Sequence, residues 1–472
     1  MPQVPTVPYQ NGSLTLAVTH KFPRGGTIIS RGENHEEKSA AGHSDALTAY
    51  AAVNTLRVDD MRPHIFRTHD GGKRWTEIVS GIPEGAPVDV VREDPKTKGL
   101  LFAGSEREVY VSFDDGGQWQ SLRLNMPASS IRDLIVKDDD VVAATHGRGF
   151  WILDNITPLR QLNAAVSGAA AFLFKPQTAM RVRWNMNTDT PLPPDEPAAP
   201  NPPEGAIIDY YLARASAGPV TLEILDTAGR LVRRYSNTDP EAPIDPMLAI
   251  PQYWVRPPHS LPASAGMHRF LWDLHYTPLA SGGGRGGGGA DYPIHAVLGN
   301  TAPAINSIWV APGRYTVKLT VDGASYTQPI AVKMDPRVKT PAIGLQQQFT
   351  LSKQLYDDAL AAGKALAELR AVRAQLQTKG EAAAAWDKKA AAIEGGGDGG
   401  GRGGGGGRGG ISGGPETLSG AAGSTAALIR LLEEADVAPT AQLAAAVADR
   451  HAALAKAMAQ WTALNAEIKR AK

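Results

Sequence analysis

Two copies of one short pattern constrain this chain more than anything else in it. Thr68-His69-Asp70-Gly71-Gly72-Lys73-Arg74-Trp75 and Ser112-Phe113-Asp114-Asp115-Gly116-Gly117-Gln118-Trp119 both read S/T-x-D-x-G-x-x-W, with their aspartates 44 residues apart. A Ser/Thr hydroxyl and an Asp carboxylate at a strand end accept hydrogen bonds from the amides of the next turn, and the glycines supply its left-handed positions. The tryptophan then returns as the first large apolar residue of the next strand. A repeat of about 40–45 residues built from such strands is the period of one four-stranded unit in a β-propeller.

The match extends beyond the boxes. His64-Ile65-Phe66-Arg67-Thr68 precedes Glu108-Val109-Tyr110-Val111-Ser112 by the same spacing, and Thr48-Ala49-Tyr50-Ala51-Ala52-Val53 corresponds to Leu100-Leu101-Phe102-Ala103-Gly104-Ser105. A third copy without a box runs through Val141-Val142-Ala143-Ala144-Thr145-His146 and Gly149-Phe150-Trp151-Ile152-Leu153-Asp154, and Asp89 to Asp94 aligns with Asp133 to Asp138 at a spacing of 44. These segments predict about two and a half blades between residues 45 and 162. Residues 1–44 have no assignment. Of these, residues 10–44 show no strand alternation and look foreign to the repeat.

Residues 45–162 resemble the last blades of the Asp-box (BNR-repeat) propellers of the sortilin/Vps10-like group of large bacterial proteins, many of them labelled glycosyl hydrolases. Besides the boxes, the resemblance rests on Ile82-Pro83-Glu84-Gly85, on Val91-Arg92-Glu93-Asp94-Pro95 and on Ala144 through Asp154. Farther on, Asp209-Tyr210-Tyr211-Leu212 and Gly313-Arg314-Tyr315 fit the region C-terminal to the propeller in such proteins. The resemblance implies that Thr68, Asp70, Gly72, Trp75, Ser112, Asp114, Gly116 and Trp119 are structural, with the box aspartates at the outer rim. It also implies an extracytoplasmic location, periplasmic or secreted.

A propeller must close, typically with at least four blades. Two and a half leave sheet edges open, so this reading expects the remaining blades on a longer parent chain. The start, Met1-Pro2-Gln3-Val4-Pro5, lacks the charged and apolar regions of a signal peptide. No apolar run is long enough to cross a membrane as a helix. Lys and Arg number 48 against 48 Asp and Glu, which leaves no net charge to attract nucleic acid. Cysteine is absent and the 11 histidines are scattered, so no metal site and no cofactor is implied.

The fold class expected is mainly β with an α C-terminus. After the partial propeller, alternating stretches such as Val220 to Leu225, Leu231 to Tyr235, Met267 to Leu274, Gly313 to Val321 and Tyr326 to Val332 predict an immunoglobulin-like β-sandwich over residues 170–336, resembling that of hook-capping proteins. Pro-rich residues 188–205 and Gly-rich residues 281–289 interrupt it as loops. Residues 340–472 read as a helical hairpin or bundle: apolar steps from Leu345 to Leu376, a helix from Thr425 to Glu434, and a third from Leu443 to Ile468. The glycine run 395–414 is a linker; two arginines without interleaved aromatics make a poor RNA-binding segment.

For function, the resemblance implies a binding or scaffold module for a peptide or carbohydrate ligand, without demonstrable catalysis, and no residue spacing singles out a catalytic pair. A glycoside hydrolase, sialidase-like or of another Asp-box type, is the alternative. Such an enzyme requires two carboxyl groups across a cleft, or a tyrosine nucleophile with arginines on the substrate carboxylate. Weak candidates are Arg92, Glu93 and Asp94 at one blade end, and His146 with Arg148 in a tight glycine-flanked loop. Arg107 with Glu106 and Glu108, and Arg132 with Asp133, are further charged groups. The competing reading of the His146 loop is a hairpin that locks the last blade, with Phe150 and Trp151 in the core.

Overall fold

The structure is a computed structural model. It describes residues 6–9, 12–15, 36–183, 190–193, 195, 201–241, 244, 248–258, 260–279, 292–395 and 417–470. The predicted glycine run 281–289 lies outside these, as does the run 395–414 except for Gly395. The chain divides into two compact units, Met1–Gly168 and Ala169–Lys472. No helix of the described residues is long and apolar enough to cross a membrane.

In the first unit, β1 (Thr6–Tyr9) and β2 (Gly12–Thr15) pair with each other, and among the described residues with no other strand. Next come three antiparallel meanders, each strand pairing with its neighbour in the chain. The first comprises β3 (Glu36–Ala41), β4 (Ala49–Asn54), β5 (Ile65–Thr68) and β6 (Thr76–Glu77). The second comprises β7 (Val88–Glu93), β8 (Leu101–Ser105), β9 (Val109–Ser112) and β10 (Gln120–Ser121). The third has three strands, β11 (Ile131–Lys137), β12 (Asp140–Thr145) and β13 (Phe150–Leu153), and the unit ends in the one-turn α1 (Ala164–Ser167).

Strand alternation makes the second sheet apolar on both faces. Val88, Val91, Leu101, Ala103 and Tyr110 share a core with Tyr50, Ala52 and Ile65 of the first sheet. Val90, Phe102, Val109 and Val111 share another with Ile131, Leu134, Val141 and Ala143 of the third. The stack of three sheets therefore holds two separate apolar layers.

Three expectations change. Glu36–Ala41 is a strand paired along its length with Ala49–Asn54, so the first meander starts ahead of residue 45; its Glu-Glu-Lys-Ser composition hides it from an apolar-alternation reading. The spacing of 44 between the second and third opening strands is one residue too long. Bulges at Asp89 and Arg132 make those two residues equivalent, so Leu134 takes the place of Val91 and is buried, while Ile135 is 55% exposed. Phe150 is not in the core. It alternates with Trp151, which packs against the apolar layer, and is itself 77% exposed.

In the second unit, the strands in chain order are β14 (Ala171–Leu173), β15 (Ala179–Arg181), β16 (Ala206–Leu212), β17 (Thr221–Leu225), β18 (Leu231–Ser236), β19 (Gly266–Trp272), β20 (Gly313–Val321) and β21 (Ala324–Met334). They form a three-stranded sheet, β14-β16-β19, and a five-stranded one, β15-β21-β20-β17-β18, in which β15 runs parallel to β21. Both sheets feed one core. Ile208, Tyr210 and Leu212 meet Leu222, Ile224, Val317 and Leu319, and Leu355, Tyr356, Ile429, Leu432 and Val447 from helices join the same cluster.

Those helices are α2 (Ala342–Gln377), α3 (Glu381–Glu394), α4 (Leu418–Glu433) and α5 (Ala441–Arg470). α3, Ala-rich and with few large apolar residues, has no counterpart in the predicted set, and α4 starts seven residues before Thr425. Their far halves pack separately around Leu369, Leu454, Trp461 and Leu464.

A buried charge network joins sheet and helices. Asp436, just beyond α4, pairs with the Arg181 guanidinium, both side chains 5% exposed, and with Arg183 Nε at 2.9 Å. Arg181 also donates to the Val310 carbonyl at 2.9 Å, and both guanidiniums lie over the Trp309 ring. The Trp309 amide donates to Glu433 Oε2 at 3.2 Å. Burial pushes the Glu433 carboxyl up, against the pull of its hydrogen bonds and of the two arginines. Removing one partner strands a buried charge, so Asp436→Ala is expected to destabilise the second unit by about 3–5 kcal/mol. Denaturant unfolding measures this; a loss below about 1 kcal/mol would show that the network does not hold sheet and helices together.

Candidate functional site

Chain-order pairing gives the three sheets of the first unit two ends. The β3–β4, β5–β6, β7–β8, β9–β10 and β11–β12 turns lie at one end, and the β4–β5, β8–β9 and β12–β13 loops at the other. Both boxes are at the first end.

There the two boxes repeat one hydrogen-bond pattern. The Thr68 hydroxyl donates to Asp70 Oδ1 at 2.9 Å and accepts from the Gly72 amide at 3.0 Å, while Asp70 Oδ1 accepts from the Arg74 amide at 2.9 Å. In the second box Ser112 donates to Asp114 Oδ1 at 2.8 Å and accepts from Gly116 at 2.9 Å, and Asp114 Oδ1 accepts from Gln118 at 2.9 Å. Gly72 and Gly116 sit at φ of 85° and 87°, a region glycine enters without strain. Burial raises the Asp114 carboxyl, but the Gln118 amide and the Ser112 hydroxyl outweigh it and hold the group below the ordinary aspartate range. Asp70 is lowered chiefly by the Arg74 amide.

Trp119 returns from its turn to 2% exposure and donates its indole N–H to the Ile78 carbonyl of the first sheet at 2.7 Å. Trp75, with no preceding sheet of the repeat among the described residues, is only half-buried.

Sequence reasoning missed a polar chain beside the boxes. Asp115 accepts from the Tyr50 hydroxyl at 2.5 Å, from Arg67 Nη1 at 3.0 Å and from His69 Nε2 at 2.8 Å. His69 Nδ1 lies 2.8 Å from the Thr48 hydroxyl, which is 3.1 Å from Asp45. Burial first, then the Asp115 acceptor, push the Tyr50 phenol up. The order Thr–His–Asp has the connectivity of a nucleophile relay. Thr48 is 3% exposed, however, so its hydroxyl is closed to a substrate. The chain clasps the first sheet to the second. Its only sequence signal is that His69 and Asp115 each fall inside a box.

Arg92, Glu93 and Asp94 are not brought together as a catalytic group. Glu93, 2% exposed, accepts from the amides of His43 at 2.6 Å and Gly99 at 3.2 Å. Asp94, fully buried, accepts from the amides of Lys96 and Thr97 and pairs with Arg160 at 2.8 Å. Arg92 spans to the third sheet, donating to the Leu134 carbonyl at 3.0 Å and to Asp133 at 2.8 Å. All three are occupied by structure.

His146 and Arg148 lie at the opposite end, in the β12–β13 loop. The six residues of β7 alone separate the ends by about 20 Å at ~3.3 Å per residue. Their backbone is fixed: the His146 amide donates to the Ser130 carbonyl at 2.9 Å, the Thr145 hydroxyl donates to the Gly149 carbonyl at 2.7 Å, and the Arg148 amide donates to that hydroxyl at 3.2 Å. Both side chains are exposed. At the same end Arg132 pairs with Glu106 at 2.9 Å and approaches Asp89 to 3.5 Å, and Asn54 donates to Asp89 at 2.6 Å. The Glu106-Arg107-Glu108 tip is held by Ser105, whose hydroxyl accepts from the Arg107 and Glu108 amides at 3.1 Å. Among the described residues no group of three or more His, Asp and Glu is placed to hold a metal ion.

No family model and no curated protein matches the chain. Among solved structures, YCF48 bound to D1 peptide is 17% identical over 23% of this chain and 34% of its own, with a TM-score of 0.18. An ancestral GH74 enzyme is 15% identical over 42% of this chain and 26% of its own, TM-score 0.18. The extracellular domain of BT4673 from B. thetaiotaomicron is 7% identical over 71% of this chain and 37% of its own, TM-score 0.23. The chain thus spans little more than a third, or less, of the length of each of these three structures.

The depressed box carboxyls carry a pH signature. A carboxyl lowered on folding contributes stability above its unfolded value, near 4, and that contribution is lost as pH falls through the folded value. Asp114→Asn is therefore expected to lower stability at pH 7 by about 1 kcal/mol and to flatten the acid-induced loss below pH ~4. Urea titrations across pH test this. Parallel curves for the variant and the parent would contradict it.

Proposed function

We propose that residues 36–162 are the closing sheets of an Asp-box-type propeller and that the end carrying the β12–β13 loop binds a carboxylate-bearing peptide or glycan. Meanders of three and four strands stacked through two apolar layers support the propeller reading. In this reading the two-sheet layer of the second unit is an immunoglobulin-like accessory module, the helices buttress it, the protein works outside the cytoplasm, and further blades reside on a longer parent chain.

One contrast carries the functional part. The candidate acids Glu93, Asp94, Asp70 and Asp114 each hold structural hydrogen bonds, whereas His146 and Arg148 project exposed side chains from a backbone locked by its own bonds. Such a turn presents an imidazole and a planar guanidinium to solvent with little ordering cost, and the guanidinium fork matches a carboxylate. No pair of uncommitted carboxyl groups among these candidates faces a common cleft, which favours binding over glycoside hydrolysis.

Glycan and peptide arrays probed with the full chain, followed by calorimetry on the best ligand, test this. The double variant His146→Ala/Arg148→Ala is expected to weaken binding at least ~10-fold, about 1.4 kcal/mol, with Asp114→Asn leaving affinity unchanged. Turnover of aryl glycosides or sialosides that Glu93→Gln abolishes would overturn the reading in favour of the hydrolase.

A further inference from the structure

We infer that the groove between α2 and α5 is a binding site for a small aromatic carboxylate that carries an N–H or O–H donor. The groove lies wholly within the second unit and is independent of the β12–β13 loop.

Helix periodicity builds it. Ala361, Lys364, Ala365 and Glu368 recur at steps of three and four along one face of α2, and Met458, Trp461, Asn465 and Lys469 do the same on α5. Facing rows of this kind ordinarily interdigitate and close the seam between two helices. Here Ala361 and Ala365 on one wall and Ala466 on the other are too short to fill the seam, and a cavity of about 450 Å³ is left between the helices. Small-molecule sites commonly occupy about 300–1,000 Å³. The floor is core: Ala365, Trp461 and Asn465 are 4%, 2% and 7% exposed, and the first two belong to the apolar cluster of the far helix halves. The rim, with Lys364, Glu368 and Lys469, is exposed. Alanines on both sides of a slot favour a flat body over a branched one, and the Met458 thioether adds a favourable contact for an aromatic ring.

Two polar features define what the ring must carry. Asn465 Nδ2 donates to Glu368 Oε1 at 2.7 Å, which fixes the amide with its oxygen turned away from that carboxylate. Asn465 Oδ1 is buried and has no hydrogen-bond partner among the described residues. An acceptor left so is a standing cost to the fold, and a ligand N–H or O–H removes it. Lys469, one turn beyond Asn465, leans back over it, and its ammonium stops 3.8 Å from Glu368 Oε1. Lys364 pairs with no carboxylate among the described residues, so the rim sets two ammonium groups against the one carboxylate of Glu368. The excess is positive. An anionic ligand balances it, draws the flexible Lys469 off Glu368 and opens the way to Asn465 Oδ1.

Indole-3-acetate carries the ring, the carboxylate and the N–H, whereas 1-naphthaleneacetate lacks the donor. Calorimetry with the full chain is expected to show saturable binding of indole-3-acetate, at least ~10-fold tighter than that of the naphthyl analogue. Ala466→Phe, at an exposed position, fills the groove and is expected to weaken indole-3-acetate at least ~10-fold. Lys364→Gln combined with Lys469→Gln is expected to weaken both ligands alike. Asn465→Leu is expected to bring the two affinities together, with circular dichroism reporting whether that variant stays folded; if it does not, the ligand pair and Ala466→Phe decide. No saturable binding of indole-3-acetate up to about 1 mM would overturn the inference. So would equal affinities of the two ligands for the parent chain, or binding that Ala466→Phe leaves unchanged, which would place the ligand outside the groove.

Discussion

The bond from the Trp119 indole to the Ile78 carbonyl, 2.7 Å long and sealed from water, is where the local chemistry of the box becomes the architecture of the first unit. Asp114 and Ser112 hold the turn, the turn aims the chain back, and the tryptophan so aimed bolts the second sheet to the first. The Trp119 amide donates to the Ser80 carbonyl at 2.8 Å and reinforces the same junction. Without the turn the indole has no defined approach. Without the indole, the Ile78 carbonyl is left buried with a lost donor, a cost of about 1–3 kcal/mol.

The same economy explains why the charged residues of this end do no visible chemistry. Strand ends bring together many amides that have no ladder partner, and a carboxylate that accepts from two of them is worth more to the fold than one left to solvent. Glu93 and Asp94 close such ends, Asp70 and Asp114 close turns, and Asp115 gathers Tyr50, Arg67 and His69 across two sheets. The other end, some six strand residues away, has its backbone satisfied by hydroxyls and carbonyls. There the His146 and Arg148 side chains are exposed.

Much of this was legible in the residues because it is local. A hydroxyl, a carboxylate, glycines and a tryptophan at fixed offsets specify a turn, and strands at constant spacing specify a repeat. The features that escaped depend on distant partners or on single-residue irregularities. The equivalent bulges at Asp89 and Arg132 lie 43 residues apart, not 44, and that single residue exchanges the expected burial of Leu134 and Ile135. β3 carries two glutamates and a lysine, so only its pairing with β4 identifies it. Arg181 and Asp436 are 255 positions apart and meet only once sheets and helices share a core. The His69 relay likewise needs two boxes side by side. Candidate residues chosen by charge alone were mostly fasteners, because charge does not reveal which amides lie within reach.

The claim that the second box is a single turn-and-bolt device is tested most directly by a double-mutant cycle of Asp114→Asn and Trp119→Phe, read by equilibrium unfolding. Coupling through the shared turn predicts that the two losses are not additive, with an interaction energy of about 0.5–3 kcal/mol. Losses that add to within about 0.3 kcal/mol would mean that carboxylate and indole act independently, and that the box does not transmit its turn to the packing of the sheets.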